Sequence, residues 1–298
     1  MTDQTHDGSF RREKEFDPMT EISASLVKAL RDETNAGMME CKKALAEANG
    51  DKTKALRILR ERGIAIAEKK SSRAANQGVI ASFISESERS GSLIEVNCET
   101  DFVAKNAGFL SFAVKLAEKS VAIEGSLAES AKADVTAKIA EIGENIIVRR
   151  NVRFVLQKPG IAAAYIHHGS AIGVLTEINC AKNDTAAKPA FKDLAKDICL
   201  HIAASRPRFL DRTFVPAEVV AAEREIFAKQ VTGKPPQIVG KIVDGKMGKF
   251  YEQNCLVEQP FVKDQDKNIT ALLTEKGKEL EDEIKIGRFE RFQVGEAV

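Results

Sequence analysis

The sequence predicts an α+β protein. An N-terminal three-helix module is followed by two duplicated α/β subdomains with small antiparallel sheets, and the second is interrupted by an antiparallel helical hairpin. Three observations predict this. Part of the chain occurs twice at a constant offset. The apolar pattern changes from helical to alternating at Gly78. Two helical apolar stripes joined by a Gly/Pro turn lie inside the second copy. The repeat is the strongest. Gly78-Val-Ile-Ala-Ser-Phe-Ile84 recurs as Gly160-Ile-Ala-Ala-Ala-Tyr-Ile166, and Ser92-Leu-Ile-Glu-Val-Asn-Cys98 recurs as Val174-Leu-Thr-Glu-Ile-Asn-Cys180. Phe109 and Phe191 each head a helical run, and every pair is 82 residues apart. A shared offset without a gap marks duplicated structure.

The N-terminal elements follow from local signals. Residues 1–18 are polar and charged with no apolar core, which reads as a disordered leader rather than a secretory signal, and Met19 is a second plausible start. Ser23 is placed as an N-cap, with Ile22, Leu26 and Leu30 on one helical face. Asn35-Ala36-Gly37 breaks that helix, because Asn and Gly tolerate left-handed backbone angles. A second helix runs from Met38 to Ala48 and stops at Asn49-Gly50; Asp51 caps a third, which ends at Gly63. Residues 19–63 thus form the three-helix module, and the polar stretch 64–77 a linker that is partly helical.

From Gly78 the strands begin. The first copy (78–157) has strands at 79–84 and 92–98, a helix at 109–121 and a third strand near 148–156. The second copy has strands at 161–166 and 173–180, a helix at 191–204 and a closing strand at 287–294. Its helix and closing strand are much further apart than in the first copy, so it consists of 158–214 and 258–298 around an insertion at 215–257. Pro216 starts the first inserted helix, with Val219, Ala222, Ile226 and Gln230 on one face. Gly233-Lys-Pro-Pro236 breaks the chain, and Val239, Val243, Met247 and Phe250 form the second stripe. A projecting hairpin cannot cover its own apolar surface, so it seeks a partner, for which a second copy of the chain is a candidate.

Composition excludes several functions. The chain has 298 residues, 43% apolar and 30% charged, with a net charge of +1, so no basic excess points to nucleic-acid phosphate. Five scattered cysteines without a Cys-x-x-Cys pair fit a reduced, cytoplasmic compartment. No apolar run reaches the ~20 residues that span a bilayer. Gly240-Lys-Ile-Val-Asp-Gly245-Lys246-Met247 nearly matches a phosphate loop, but it ends in Met where Ser or Thr holds magnesium and no strand feeds it. His167-His168 lacks partners at metal-ligand spacing. No nucleophile or paired-carboxylate motif is present, so covalent catalysis is not expected. No cofactor is expected, and no direct binding of nucleotide, nucleic acid or membrane.

The copies differ most between Cys98 and Phe109, where the first reads Glu-Thr-Asp-Phe-Val-Ala-Lys-Asn-Ala-Gly and the second Ala-Lys-Asn-Asp-Thr-Ala-Ala-Lys-Pro-Ala. A Phe beside an Asp in a loop is either an anchor folded onto its own core or an exposed wedge for a partner's pocket. Met38 and Met39 pose a similar choice between packing and adaptable contact surface. His201, on a helix, reads as a packed or interface histidine.

Three segments carry a resemblance. Thr34-Asn-Ala-Gly-Met-Met-Glu-Cys-Lys-Lys-Ala-Leu45, Glu99-Thr-Asp-Phe-Val-Ala-Lys105 and His201-Ile-Ala-Ala-Ser-Arg-Pro207 stand in the order of the elongation factor Ts family of bacterial and organellar type, and the likeness runs from about Met19 to the C-terminus. The resemblance implies a guanine-nucleotide exchange factor for elongation factor Tu, with an N-terminal module similar to ubiquitin-associated domains and a hairpin used for homodimerisation. It implies that Thr100, Asp101, Phe102 and Val103 intrude beside the partner's magnesium site. Arg31, Met38 and Met39 would contact the partner's nucleotide-binding domain, and Ile172, Gly173 and His201 a different domain. Asn35 stands where the family commonly has Gly. The chain ends soon after Val294-Gly-Glu296, where some members continue into a further contacting helix. The competing reading is a helical adaptor that docks a peptide or ubiquitin-like partner; it leaves the asymmetric loop without a purpose.

Overall fold

The computed structural model describes residues 22–231 and 234–297, leaving aside the side chains of His168, Pro236 and Gln237. The expected leader and Gly233 of the expected turn lie outside these residues. Three helices come first: α1 (Ala24–Thr34), α2 (Met38–Glu47) and α3 (Lys52–Lys70). The Ser23 hydroxyl accepts from Leu26 N at 3.2 Å, Asn35 closes α1 at φ 52°, and the Asp51 carboxylate accepts from Lys54 N at 3.1 Å. Val27, Leu30, Cys41, Ala44, Leu45 and Ala55 fill their core. The stop expected at Gly63 does not occur. Gly63 is buried in mid-helix, facing Ala140 of a later helix, and packing there outweighs the ~1 kcal/mol that Gly costs a helix.

Two three-stranded antiparallel sheets follow. The first joins β1 (Gln77–Ile84), β2 (Ser90–Cys98) and β3 (Ile147–Val155) in that order. Between β2 and β3 the chain forms α4 (Asp101–Ala104), α5 (Ala107–Val121), α6 (Leu127–Ser130) and α7 (Lys132–Ile142). The second sheet contains β4 (Gly160–Ile166), β5 (Ile172–Asn179) and the last strand, β8 (Lys285–Gln293). Between β5 and β8 come α8 (Asn183–Ala187), α9 (Pro189–Ser205), α10 (Ala217–Lys229), α11 (Pro236–Asn254), a short hairpin of β6 (Pro260–Phe261) and β7 (Asp264–Asn268), and α12 (Ile269–Leu280). Neither that β-hairpin nor α12 is among the sequence expectations, although α12 carries a cap at Asn268 and buries Ile269, Leu272 and Leu280 at helical spacing.

The duplication extends to irregularities. Each central strand has a bulge, after Glu95 and after Glu177, again 82 residues apart. Gly78 (φ 157°) and Gly160 (φ 144°) open the two sheets where a Cβ would strike the backbone oxygens of Val96 and Ile178. One face of each sheet packs on helices: Ile94, Val96, Phe109, Ala113 and Leu116 on one side, Val174, Ile178, Phe191, Ala195 and Ile198 on the other. The opposite faces meet through Ile80, Leu93, Phe154, Leu175 and Phe292. The layers therefore run helix, sheet, sheet, helix.

The meeting of the sheets is reciprocal. A Cβ on Gly91 would lie 3.1 Å from Leu175, and one on Gly173 would lie 2.9 Å from Leu93. Arg150 stacks over Phe292 and Arg288 over Phe154, both 4.2 Å from the ring centroid. Arg150 also bonds Glu95 at 2.7 Å, and Arg288 bonds Glu177 at 2.9 Å. Residue i of one half meets residue j of the other, and j meets i, as at a two-fold interface.

A carboxylate holds the chain leaving each central strand. Glu144 Oε2 accepts from Glu99 N and Thr100 N, both at 3.1 Å. Asp282 accepts from Ala181 N and Lys182 N, both at 3.0 Å. Each carboxylate follows a left-handed helix stop, Gly143 after α7 and Glu281 after α12. Burial pushes the Asp282 carboxyl upward, but hydrogen bonds from the backbone N–H groups of Lys182, Ala181 and Glu283, with the Thr185 side chain nearby, outweigh it and bring the pKa down to about 2.

The inserted hairpin packs Val239, Val243, Met247 and Phe250 of α11 inward, as the spacing predicts. The α10 stripe is a correction. Val219, Val220 and Phe227 face α11, whereas Ala222, Ile226 and Gln230 are exposed. The near-phosphate-loop segment is helical and buries Met247, which leaves no loop to cradle an anion.

Two outcomes are expected. Gly160→Ala must place a side chain against Ile178 O at positive φ, and should cost roughly 1–3 kcal/mol in urea denaturation. Asp282→Asn should lower the thermal midpoint at neutral pH. A depressed carboxyl pKa stabilises the fold above its ordinary 3.8 and stops doing so as pH falls toward 2. The difference from the unsubstituted protein should therefore shrink across that window and stay flat above it.

Candidate functional site

The segment that differs between the copies is a one-turn helix rather than a plain loop. Thr100 caps α4, its hydroxyl accepting from Val103 N at 3.3 Å. Asn106 immediately caps α5, accepting from Gly108 N and Phe109 N. Two caps so close together force a corner, and the corner decides which side chains point inward. Val103 and Ala104 pack on the first core. Phe102 points away and is 82% exposed. The choice left open by the sequence is thereby resolved against an anchor on its own core. Asp101, also exposed, receives Lys105 Nζ at 2.7 Å, and that hydrogen bond holds its carboxyl below the ordinary carboxylate range. Beneath the turn, the Cys98 thiol donates to Thr100 O at 3.2 Å, and burial pushes its pKa up to about 11.

The second half turns at the matching place without side-chain caps and without the prong. Its helix α8 packs Ala186 inward and buries Thr185, and Cys180 donates to Lys182 O as Cys98 does to Thr100 O. Asp184 stands in the place of Phe102.

The other expected contact residues are dispersed. Arg31 lies in the last turn of α1 and Met38 and Met39 in the first turn of α2, joined by the left-handed corner at Asn35. All three are exposed, the methionines by 47% and 62%. Ile172 begins β5 and is half-buried against the second core. Two of the expected contact residues are buried. Gly173 is buried, and its lack of a side chain admits Ile80 and Leu93 of the opposite sheet. His201 is also buried. Its Nδ1 accepts from Val262 N at 3.3 Å, so Nε2 carries the proton and donates to Gln259 Oε1 at 3.0 Å. Burial lowers its pKa, which keeps it neutral. In this conformation neither residue offers surface to a partner.

Sequence reasoning missed the support behind the prong. Glu144 binds Thr100 through backbone and hydroxyl, the latter at 2.7 Å. Asn145 N donates to Glu99 Oε1 at 2.7 Å, while Asn145 Nδ2 donates to Arg73 O at 2.7 Å. Only the like hydrogen bonds of Glu144 and Asp282 expose the pattern. The insertion shifts this pair from the offset of 82 shared by the earlier repeats.

Among the described residues, no group of three or more His, Cys, Asp and Glu is placed to hold a metal, and no helix is long and apolar enough to cross a membrane. A profile of the family described as Elongation factor TS matches residues 99–296. The chain is 44% identical over 290 residues to Elongation factor Ts of Clostridium botulinum (strain Alaska E43 / Type E3), covering 93% of this chain and 94% of that protein. It is 45% identical over 296 residues to Elongation factor Ts of a Nitratiruptor species, with the same coverage. A match of this extent, through both halves of the duplicated core, shows that the chain belongs to the elongation factor Ts family.

Proposed function

We propose that this chain is a guanine-nucleotide exchange factor that binds elongation factor Tu in its GDP form and promotes GDP release during translation elongation. Family membership supports the activity and the partner. The observation that supports the route is the presentation of Phe102 on a braced corner in one half of a doubled scaffold. A GTPase holds GDP through a phosphate cradle and a magnesium ion that bridges phosphate oxygens and protein. Phe102 enters between side chains beside that ion. Asp101, held by Lys105 in the free chain, exchanges that partner for groups that hold the ion or its waters. Once the ion is disturbed, phosphate charge is left uncompensated and GDP leaves.

Exchange needs tighter binding to the empty GTPase than to the GDP form, and by linkage GDP weakens the factor equally. The binding energy for this distortion comes from other contacts. Arg31, Met38 and Met39 offer an exposed, adaptable surface on the N-terminal helices, and Ile172 marks a second region at the start of β5. The exposed Phe214, Ile226 and Ile238 support homodimerisation through the hairpin.

Phe102→Ala should slow stimulated release of labelled GDP at least about tenfold while changing the affinity for nucleotide-free elongation factor Tu far less. Equal losses in both would make the residue a mere anchor. Raising magnesium should oppose the factor, and indifference to it would refute this route. Ile226→Asp combined with Ile238→Asp should shift the sedimentation coefficient toward that of a monomer; no shift at micromolar concentration would remove the hairpin from any dimer.

A further inference from the structure

We infer that Glu144 is a positioning residue for exchange: it sets the direction in which Phe102 is presented. The inference rests on Phe102 being the working residue, as proposed above. The geometry is direct. The Thr100 hydroxyl donates to Glu144 Oε1 at 2.7 Å, which leaves an oxygen lone pair for Val103 N. Glu144 Oε2 takes the two backbone N–H groups that precede the turn. One carboxylate thus fixes both the backbone entering α4 and the hydroxyl that caps it. A four-residue helix has almost no stability of its own, so its direction is imposed by what holds its first turn.

The brace continues away from the prong. Glu144 follows α7, which packs along α3 of the N-terminal helices, where Gly63 faces Ala140. Its neighbour Asn145 donates to the carbonyls of Ser71 and Arg73, the chain leaving α3, and Arg73 pairs with Glu99 at 3.4 Å. The prong and the N-terminal helices therefore share one rigid connection, and Glu144 stands at its centre.

The duplicated half supplies a matched control. Asp282 makes the same two backbone bonds at a corner without an aromatic. If Glu144 served stability alone, Glu144→Ala and Asp282→Ala would have like effects. The experiment measures stimulated release of labelled GDP from elongation factor Tu, affinity for the nucleotide-free GTPase, and thermal midpoint. It compares Glu144→Ala, Asp282→Ala, Phe102→Ala and the double variant Glu144→Ala with Phe102→Ala.

Both clamp variants should melt earlier. Only Glu144→Ala should lose release, by about tenfold or more, with affinity changed much less. With Phe102 already removed, Glu144→Ala should cause no further loss, because the two residues act as one unit. Equal release by Glu144→Ala and Asp282→Ala overturns the inference, as do additive losses in the double variant. If Phe102→Ala releases GDP normally, the wedge itself fails and the positioning role falls with it. If Phe102→Ala is impaired and Glu144→Ala is not, the wedge survives and only the positioning role is lost. Glu144→Gln keeps the shape and one oxygen acceptor and should fall between the extremes. Should the Ala variant not fold, a Gln variant that exchanges like the unsubstituted chain overturns the proposal.

Discussion

The structure depends on two sheets meeting face to face across an internal two-fold relation. Each central strand is buried on both sides, by helices on one and by the opposite sheet on the other. That arrangement demands close approach. Gly91 and Gly173 provide it by leaving room for Leu175 and Leu93. The edges of the contact are polar, and burying a charge is tolerable only with a partner. Glu95, fully buried, meets Arg149 and Arg150, and Glu177 meets Arg288. Two of these arginines also cover phenylalanines of the other half, so the same side chains neutralise charge and seal the apolar seam.

A symmetric frame leaves its two ends free to differ. Both halves carry the buried thiol, the carboxylate brace and the short helix after the central strand. Only the first carries an exposed aromatic on that short helix. The second also accepts a hairpin between α9 and α12 without loss of the brace, because Asp282 reaches back from just before β8. The additions occupy loops and leave the sheets alone, as expected where function is placed on connections held by a rigid scaffold.

How much of this was legible in the sequence divides by range. Caps at Ser23 and Asp51 and the turn at Asn35 were readable because a cap is a contact within three or four residues. The repeat was readable while the offset stayed constant. Gly63 misled because its fate is set by Ala140 of α7, far along the chain. The surroundings of Gly173 and His201 are set at the same long range. Each is explained by an internal neighbour that sequence spacing does not reveal: Leu93 for one, Gln259 and Val262 for the other. In α10 the choice between adjacent stripes turned on Phe227 against Ile226, and only the partner helix decides that. Phe102 was legible as an anomaly, and its direction became visible only with the corner that holds it.

The physical sense of the brace lies in the cost of ordering. An exposed aromatic on a loose loop would surrender its freedom on meeting a partner, at about 0.5–1.5 kcal/mol for each side chain immobilised and more for the backbone. Here much of the backbone term is already met in the free chain, because Val103 and Ala104 are packed and Thr100 is held by Glu144. Under the proposed function, binding energy from the N-terminal helices would then act on the partner's site instead of on this chain's own loop. A rigid wedge also transmits strain in one direction. If the corner meets a GTPase as proposed, the side that yields would be the loop region around the ion. Under the proposed route, rigidity behind Phe102 would bear on exchange as directly as the aromatic ring itself.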